Sequence, residues 1–210
     1  MINVRTLALS FLVFSVVLAT WMSFMLPPEF QHIKPFKLKD ANNHGQIFNL
    51  KDHKDIKGLI VIFTCNHCPF AQLYPKRLNA LHAQFAPLGL PIVAISSMDT
   101  ITYDEDGWHQ MVAKAQKDKL AFPYLYDGSQ KVAKNFKAQK TPHAYVLWRE
   151  GRHFYVRYSG AIDDNGMEPQ NVTKSYVKET VEALLNNKPI EITETKSIGC
   201  QIYFRGQKEI

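Results

Sequence analysis

The sequence predicts an α/β fold: a mixed central sheet with helices on both faces. Three observations carry that prediction. Short apolar runs rich in β-branched residues alternate with segments whose apolar residues recur at helical spacing. The last two strand-like runs, "HAYVLW" and "RHFYVRYSG", flank only "REG" between them, a connection that suits an antiparallel hairpin. With 210 residues, 46% of them hydrophobic, the chain is long enough for one ordinary domain plus an extension and needs no disulfide staple to fold.

Taken in order, "FKLKDANNHGQIFNLKD" alternates around a turn at Asn42 to Gly45 and predicts a small N-terminal β-hairpin. "LIVIFT", released by Gly58, reads as a buried strand. Leu73, Leu78, Leu81 and Phe85 then recur at helical spacing, with Pro75 expected to kink that helix or to end its first part. "LPIVAISS" is a second buried strand, Asp104 to Lys119 a polar-faced helix and "FPYLYD" a short strand. "SQKVAKNFK" is a helix with Ser129 as its cap. After the closing hairpin, "VTKSYVKETVEALLNNK" is the last helix, with Val177, Val181, Leu184 and Leu185 on one side. Its sequon, Asn171-Val172-Thr173, is read as cap chemistry.

The N-terminus follows a different pattern. Residues 6–26, "TLALSFLVFSVVLATWMSFML", carry no charge. Their 21 positions, at ~1.5 Å each, just cross a ~30 Å hydrocarbon core. Arg5 precedes the segment and Lys34 is the next basic residue, so the positive end stays in the cytoplasm and the remainder lies outside. Val17-Leu18-Ala19 offers a cleavage point for a signal peptide, whereas Trp21 suits the interfacial end of an uncleaved anchor. The expected organisation is an anchor or signal peptide over 1–28, a folded domain over 29–190 and a C-terminal extension over 191–210. The expected location is extracytoplasmic, on the periplasmic side, either anchored in the inner membrane or secreted.

The net charge of +6 is scattered among acids, as in Lys114, Lys117 and Lys119 with Asp104, Glu105 and Asp118. A nucleic-acid surface needs a clustered basic stripe, so none is expected. No glycine-rich phosphate loop indicates a nucleotide or flavin, and no second CxxC or HxxxH pair completes a zinc site. The expectation is no cofactor and no metal.

The chemistry concentrates in Cys65-Asn66-His67-Cys68, between the strand "LIVIFT" and a helical segment. Two cysteines so close would close too small a loop to add much stability, which favours a functional pair. A thiol of ordinary pKa, ~8.5, becomes nucleophilic as thiolate, and a helix start favours the charged form.

That motif, together with Thr141-Pro142 before a later strand and the closing hairpin and helix, resembles the thioredoxin-like superfamily. Within it the chain is similar to the redoxin branch of AhpC/TSA type, which includes exported CxxC thiol–disulfide oxidoreductases. The likeness covers about Lys34 to Lys188 and implies a three-layer thioredoxin-like fold. It further implies Cys65 as the exposed nucleophile and Cys68 as the more buried resolving partner. His67 is implied to tune the pair by stabilising thiolate. Thr141 and Pro142 are implied to form a cis-proline site whose backbone receives a substrate chain as an added strand. His143 is a candidate for substrate contact. Exported thiol and disulfide proteins are the implied substrates, and a membrane redox protein the implied electron partner.

The chain departs from the family in three respects. Thr64 stands where many relatives have tryptophan. The buried strand lacks the acid that thioredoxins use for proton transfer, leaving His67, water or a carboxylate elsewhere. Cys200 makes the count odd: buried and inert, joined to a second subunit, or a third redox thiol. Two other functions compete. A thiol peroxidase resembles Pro-x-x-x-Thr-x-x-Cys, but Gly58 and Ile62, or Val61 and Cys65, hold the corresponding positions. A copper-binding module could use Cys65 and Cys68 with His67, His143 or His153, although copper chaperones of this fold resemble C-x-x-x-C.

Overall fold

Strand β4, Gly58–Thr64, is buried over its first six residues and lies in the middle of the sheet. Its side chains alternate between the two faces. Leu59, Val61 and Phe63 enter one core, and Ile60 and Ile62 enter the other. A strand buried on both sides reads as a continuous apolar run, as "LIVIFT" does.

The computed structural model describes residues 30–206. The apolar segment 6–26, and with it the expected anchor or signal peptide, lies outside them. Among the described residues no helix is long and apolar enough to cross a membrane.

The other strands are β1 His32–Ile33, β2 Lys37–Asp40, β3 Ile47–Asn49, β5 Ile92–Ser96, β6 Tyr124–Tyr126, β7 Lys140–Thr141, β8 His143–Glu150, β9 His153–Gly160 and β10 Cys200–Gln201. The described helices are α1 Pro69–Gln72, α2 Pro75–Phe85, α3 Trp108–Lys117, α4 Lys131–Phe136 and α5 Tyr176–Leu185. The main sheet runs β1-β9-β8-β4-β5-β6-β2-β3, with β4, β5 and β6 parallel and the other neighbours antiparallel. Strands β2 and β3 form the expected hairpin. The expected three-layer arrangement is therefore the one observed: α2, α3 and α5 bury Leu78, Phe85, Met111, Ala115, Val177 and Val181 on one face. On the other face, α1 and α4 bury Ala71, Val132, Ala133 and Phe136.

Pro75 ends the first part of the predicted helix, as expected, by opening α2 at its first position. Several other local expectations are corrected. Leu73 falls between the two helices, 38% exposed. Residues 104–106 form a separate 3₁₀ turn before α3. The N–H groups of Val132 and Ala133 at the start of α4 donate to Asp127 Oδ2, 3.0 Å each, while Ser129 bonds Asp127. Asp127, whose single Oδ2 accepts two adjacent N–H groups, is the stronger cap, while Ser129 Oγ accepts the Lys131 N–H at 3.4 Å. Thr173 donates to Asp164 instead of capping α5, and Glu179 Oε1 accepts the Ser175 N–H at 2.9 Å.

The second core face converges on Phe136. Its ring meets Phe63 at 5.3 Å, Tyr145 at 5.1 Å and Phe36 at 6.1 Å between centroids. Phe136→Ala should therefore cost about 3–5 kcal/mol, lowering the urea midpoint without changing the slope of the transition.

Candidate active site

Local sequence sets the conformation of the CxxC segment. Pro69 has no N–H to lose at a helix start, and it holds the residue before it extended. Cys68 accordingly sits at φ −68°, ψ 118° as the residue capping α1. The helix start therefore belongs to Cys68, three residues later than the resemblance implies for Cys65. Neither sulfur is the exposed member: Cys65 and Cys68 are both 0% exposed.

Both sulfurs meet Thr141. Cys65 Sγ lies 3.1 Å from Thr141 Oγ1, and the Cys68 thiol donates to the Thr141 carbonyl at 3.1 Å. The peptide bond between Thr141 and Pro142 is cis. Opposite Thr141, in antiparallel register, lies Cys200 of β10. Cys200 and Cys68 influence each other's ionisation. All three cysteines of the chain thus surround one threonine, and none is in a disulfide.

The sulfurs share protons. The hydrogen bond from Cys65 pulls Cys68 down to about 4 against the opposing effect of burial, with further help from Cys200 and the Ala71 N–H. That bond pushes Cys65 up, as do its burial and the nearby Asp106 carboxylate. Cys200 is pushed up to about 12, by burial first and by Cys68 second.

Asp106 is the functional residue that sequence reasoning did not name. It is 0% exposed and accepts the Asn66 N–H and the His67 ring Nδ1. Burial raises its pKa, and those two partners oppose the rise. His67 also stacks on Tyr103, 4.4 Å between centroids and 7° from parallel. Asn66 is held by three further bonds: Nδ2 to the Glu105 carbonyl at 2.6 Å, Oδ1 from Tyr124 at 2.8 Å, and its carbonyl from Gln72 Nε2 at 2.7 Å. The dipeptide between the cysteines is thus fixed by 3₁₀ residues about forty positions away. Three acids in a row, Asp104 to Asp106, gave no local sign of which turns inward.

Cys65, His67 and Asp106 bring ligand atoms within 4.8 Å of one another and form the one such group among the described residues. Of the three histidines weighed for copper, only His67 belongs to it. His153 bonds His32 at 3.1 Å on the β1–β9 edge. His143 is turned to Ser159 at 3.1 Å and to Tyr145.

A buried thiol pair beside a cis-proline, on a mixed sheet between two helical layers, defines a thioredoxin-like protein of the redoxin branch. Residues 30–167 match the AhpC/TSA family, and the chain belongs to that family. It is 33% identical to an uncharacterised conserved protein from Geobacillus kaustophilus, with 88% of this chain and 96% of that one covered at a TM-score of 0.76. A hypothetical protein from Sinorhizobium meliloti is 34% identical over 85% of this chain and 95% of its own, also at 0.76. The fold is shared as well with peroxidoxin BcpB from Mycobacterium tuberculosis, 14% identical over 76% and 97%, TM-score 0.55. No curated protein matches. Family and fold make the chain an oxidoreductase.

His143 gives a pH dependence. Burial lowers its pKa to about 4, whereas an unfolded histidine takes a proton near ~6.5. Between those values the unfolded state binds more protons, so the stability His143 contributes is full above the upper value and is lost as pH falls toward the lower. Urea denaturation of wild type and His143→Asn across this window should show the wild type losing more stability on acidification.

Proposed function

We propose that the protein exchanges thiols and disulfides with exported proteins through Cys65 and Cys68. The observation that carries this reading is the convergence of both sulfurs on Thr141, 3.1 Å from each, beside the cis peptide bond to Pro142.

In the reducing direction, the ionised sulfur of the pair attacks a substrate disulfide. One substrate sulfur leaves and takes a proton, and a mixed disulfide remains. The second sulfur of the pair then attacks that bond, giving a Cys65–Cys68 disulfide and a substrate with two thiols. Two electrons pass from pair to substrate, and the reverse sequence introduces a disulfide. Thr141 Oγ1 is placed to donate to Cys65 when that sulfur carries charge. The Asp106–His67 pair lies within 4.8 Å of the Cys65 sulfur and is placed to hold a proton, in the role of the carboxylate that the buried strand lacks.

An incoming chain meets an apolar rim around Pro142: Phe70, Met167 and Ile198 border a groove of ≈ 200 Å³. Those three residues are 38%, 67% and 64% exposed, which suits an extended polypeptide with apolar side chains. The backbone edge of Thr141 itself is taken by Cys200, so strand addition there requires the C-terminal segment to move aside. We place the domain outside the cytoplasm, held by segment 6–26 and supplied with electrons by a membrane redox protein.

Two experiments on the full chain test this. Wild type should accelerate reduction of insulin disulfides by dithiothreitol, and Cys65→Ser and Cys68→Ser should return it to the uncatalysed rate. Unchanged catalysis in both variants contradicts the proposal, and a peroxide rate far above that of free thiol would move the protein to the peroxidase reading. In His67→Ala, loss of an imidazole able to favour thiolate should make the pair more reducing, by about 30 mV for each tenfold change in equilibrium constant.

A further inference from the structure

We propose that Cys200 is a third exchanging thiol of this site, carried on a C-terminal strap that presents it to Cys68 as a tethered internal substrate. The proposal rests on the reading that Cys65 and Cys68 are redox-active.

Four observations support it. First, β10 is only two residues long, yet its register sets Cys200 directly opposite Thr141, the residue that holds the other two sulfurs. Second, the Cys68 thiol donates to the Thr141 carbonyl at 3.1 Å, so Cys68 and Cys200 meet the backbone of the same residue. Third, the strap is built to keep that position. Gly199 has φ +155°, and a Cβ there would run into the Thr141 carbonyl, so only glycine lets the strand approach so closely. Ile202 is buried in the core cluster that contains Cys65 and Cys68, and its N–H donates to the Gln139 carbonyl at 2.8 Å. Gln130, 2% exposed, directs its amide at the strap: Nε2 donates to the Tyr203 carbonyl and Oε1 accepts the Arg205 N–H, both at 2.7 Å. Arg205 also reaches Asp99 at 3.2 Å. Fourth, Cys200 is partly exposed whereas Cys65 and Cys68 are sealed, so Cys200 is the sulfur that an outside thiol reaches first.

The step balances internally. In the oxidised protein the Cys200 thiolate attacks Cys68 Sγ. A Cys68–Cys200 bond forms, the Cys65–Cys68 bond breaks, and Cys65 leaves as thiolate and takes the proton given up by Cys200. One disulfide is exchanged for another, and no external oxidant or reductant is used. Part of what pushes the Cys200 thiol up is the neighbouring Cys68 sulfur, and that contribution disappears once Cys68 is in a disulfide.

Disulfide mapping tests the relay. The full-length protein is oxidised with diamide, quenched in acid, alkylated and digested, and its linked peptides are measured by mass spectrometry. Wild type should contain both Cys65–Cys68 and Cys68–Cys200 linkages, the latter at about one part in ten of the former or more, a ratio equivalent to about 30 mV. Cys65→Ser should form a monomeric, intramolecular Cys68–Cys200 disulfide. Wild type that carries Cys65–Cys68 with Cys200 fully alkylated, or with Cys200 joined to Cys65, overturns the relay and leaves the proposed function standing. Absence of any linkage among the three cysteines overturns both. The wild-type map decides the matter even if the serine variant fails to fold.

Discussion

Thr141 organises the site. Its hydroxyl faces Cys65, its carbonyl accepts from Cys68, and its backbone pairs with Cys200. Two sulfurs of one short motif and a third from the far C-terminal strap therefore share one residue as neighbour. Everything else follows from keeping that residue fixed. β4 delivers Cys65 from the sheet centre, Pro69 sets Cys68 at the start of α1, and Gly199 lets the strap lie against the threonine.

Burial then shapes the chemistry. A sealed thiol pair is protected from adventitious oxidation, but its charge must be stabilised by immediate neighbours, because water is excluded. The paired thiols do this by favouring the charged form of Cys68 at the expense of Cys65. Buried Asp106 and half-buried His67 form an acid–imidazole pair beside Cys65; Asp106 also accepts the Asn66 N–H, and Glu105 and Tyr124 hold Asn66 in turn. The same seal makes access a question of the C-terminal strap, whose clamp at Gln130 is polar and so releasable into water at modest cost.

Much of the fold was legible because its signals are local. "LIVIFT" has the composition of a strand buried on both faces, and the two runs around "REG" leave room only for a hairpin. The chemistry of Cys65-Asn66-His67-Cys68 is equally local. Contacts made across long separations were not legible. Nothing near Asp106 signals that it turns inward to His67, 39 positions earlier in the chain. Nothing near Gln130 shows that it clamps residues more than seventy positions later. Ser129 stands closer to the periodic segment than Asp127 does, and the αL conformation of Gln130 sets the helix start at Lys131, within reach of the Asp127 carboxylate. The C-terminal extension gives no local sign of where it packs, and Ile202 is part of the core around the cysteines.

The central claim is a redox-active Cys65–Cys68 pair, and its most direct test is a redox titration of the full chain. The protein is equilibrated across glutathione buffers of increasing oxidation, quenched in acid, and its alkylated thiols are counted by mass. The account predicts one two-electron transition in which two of the three thiols disappear together without glutathione being added to the protein. Three thiols that stay free at every ratio, or that acquire glutathione one at a time, would contradict it.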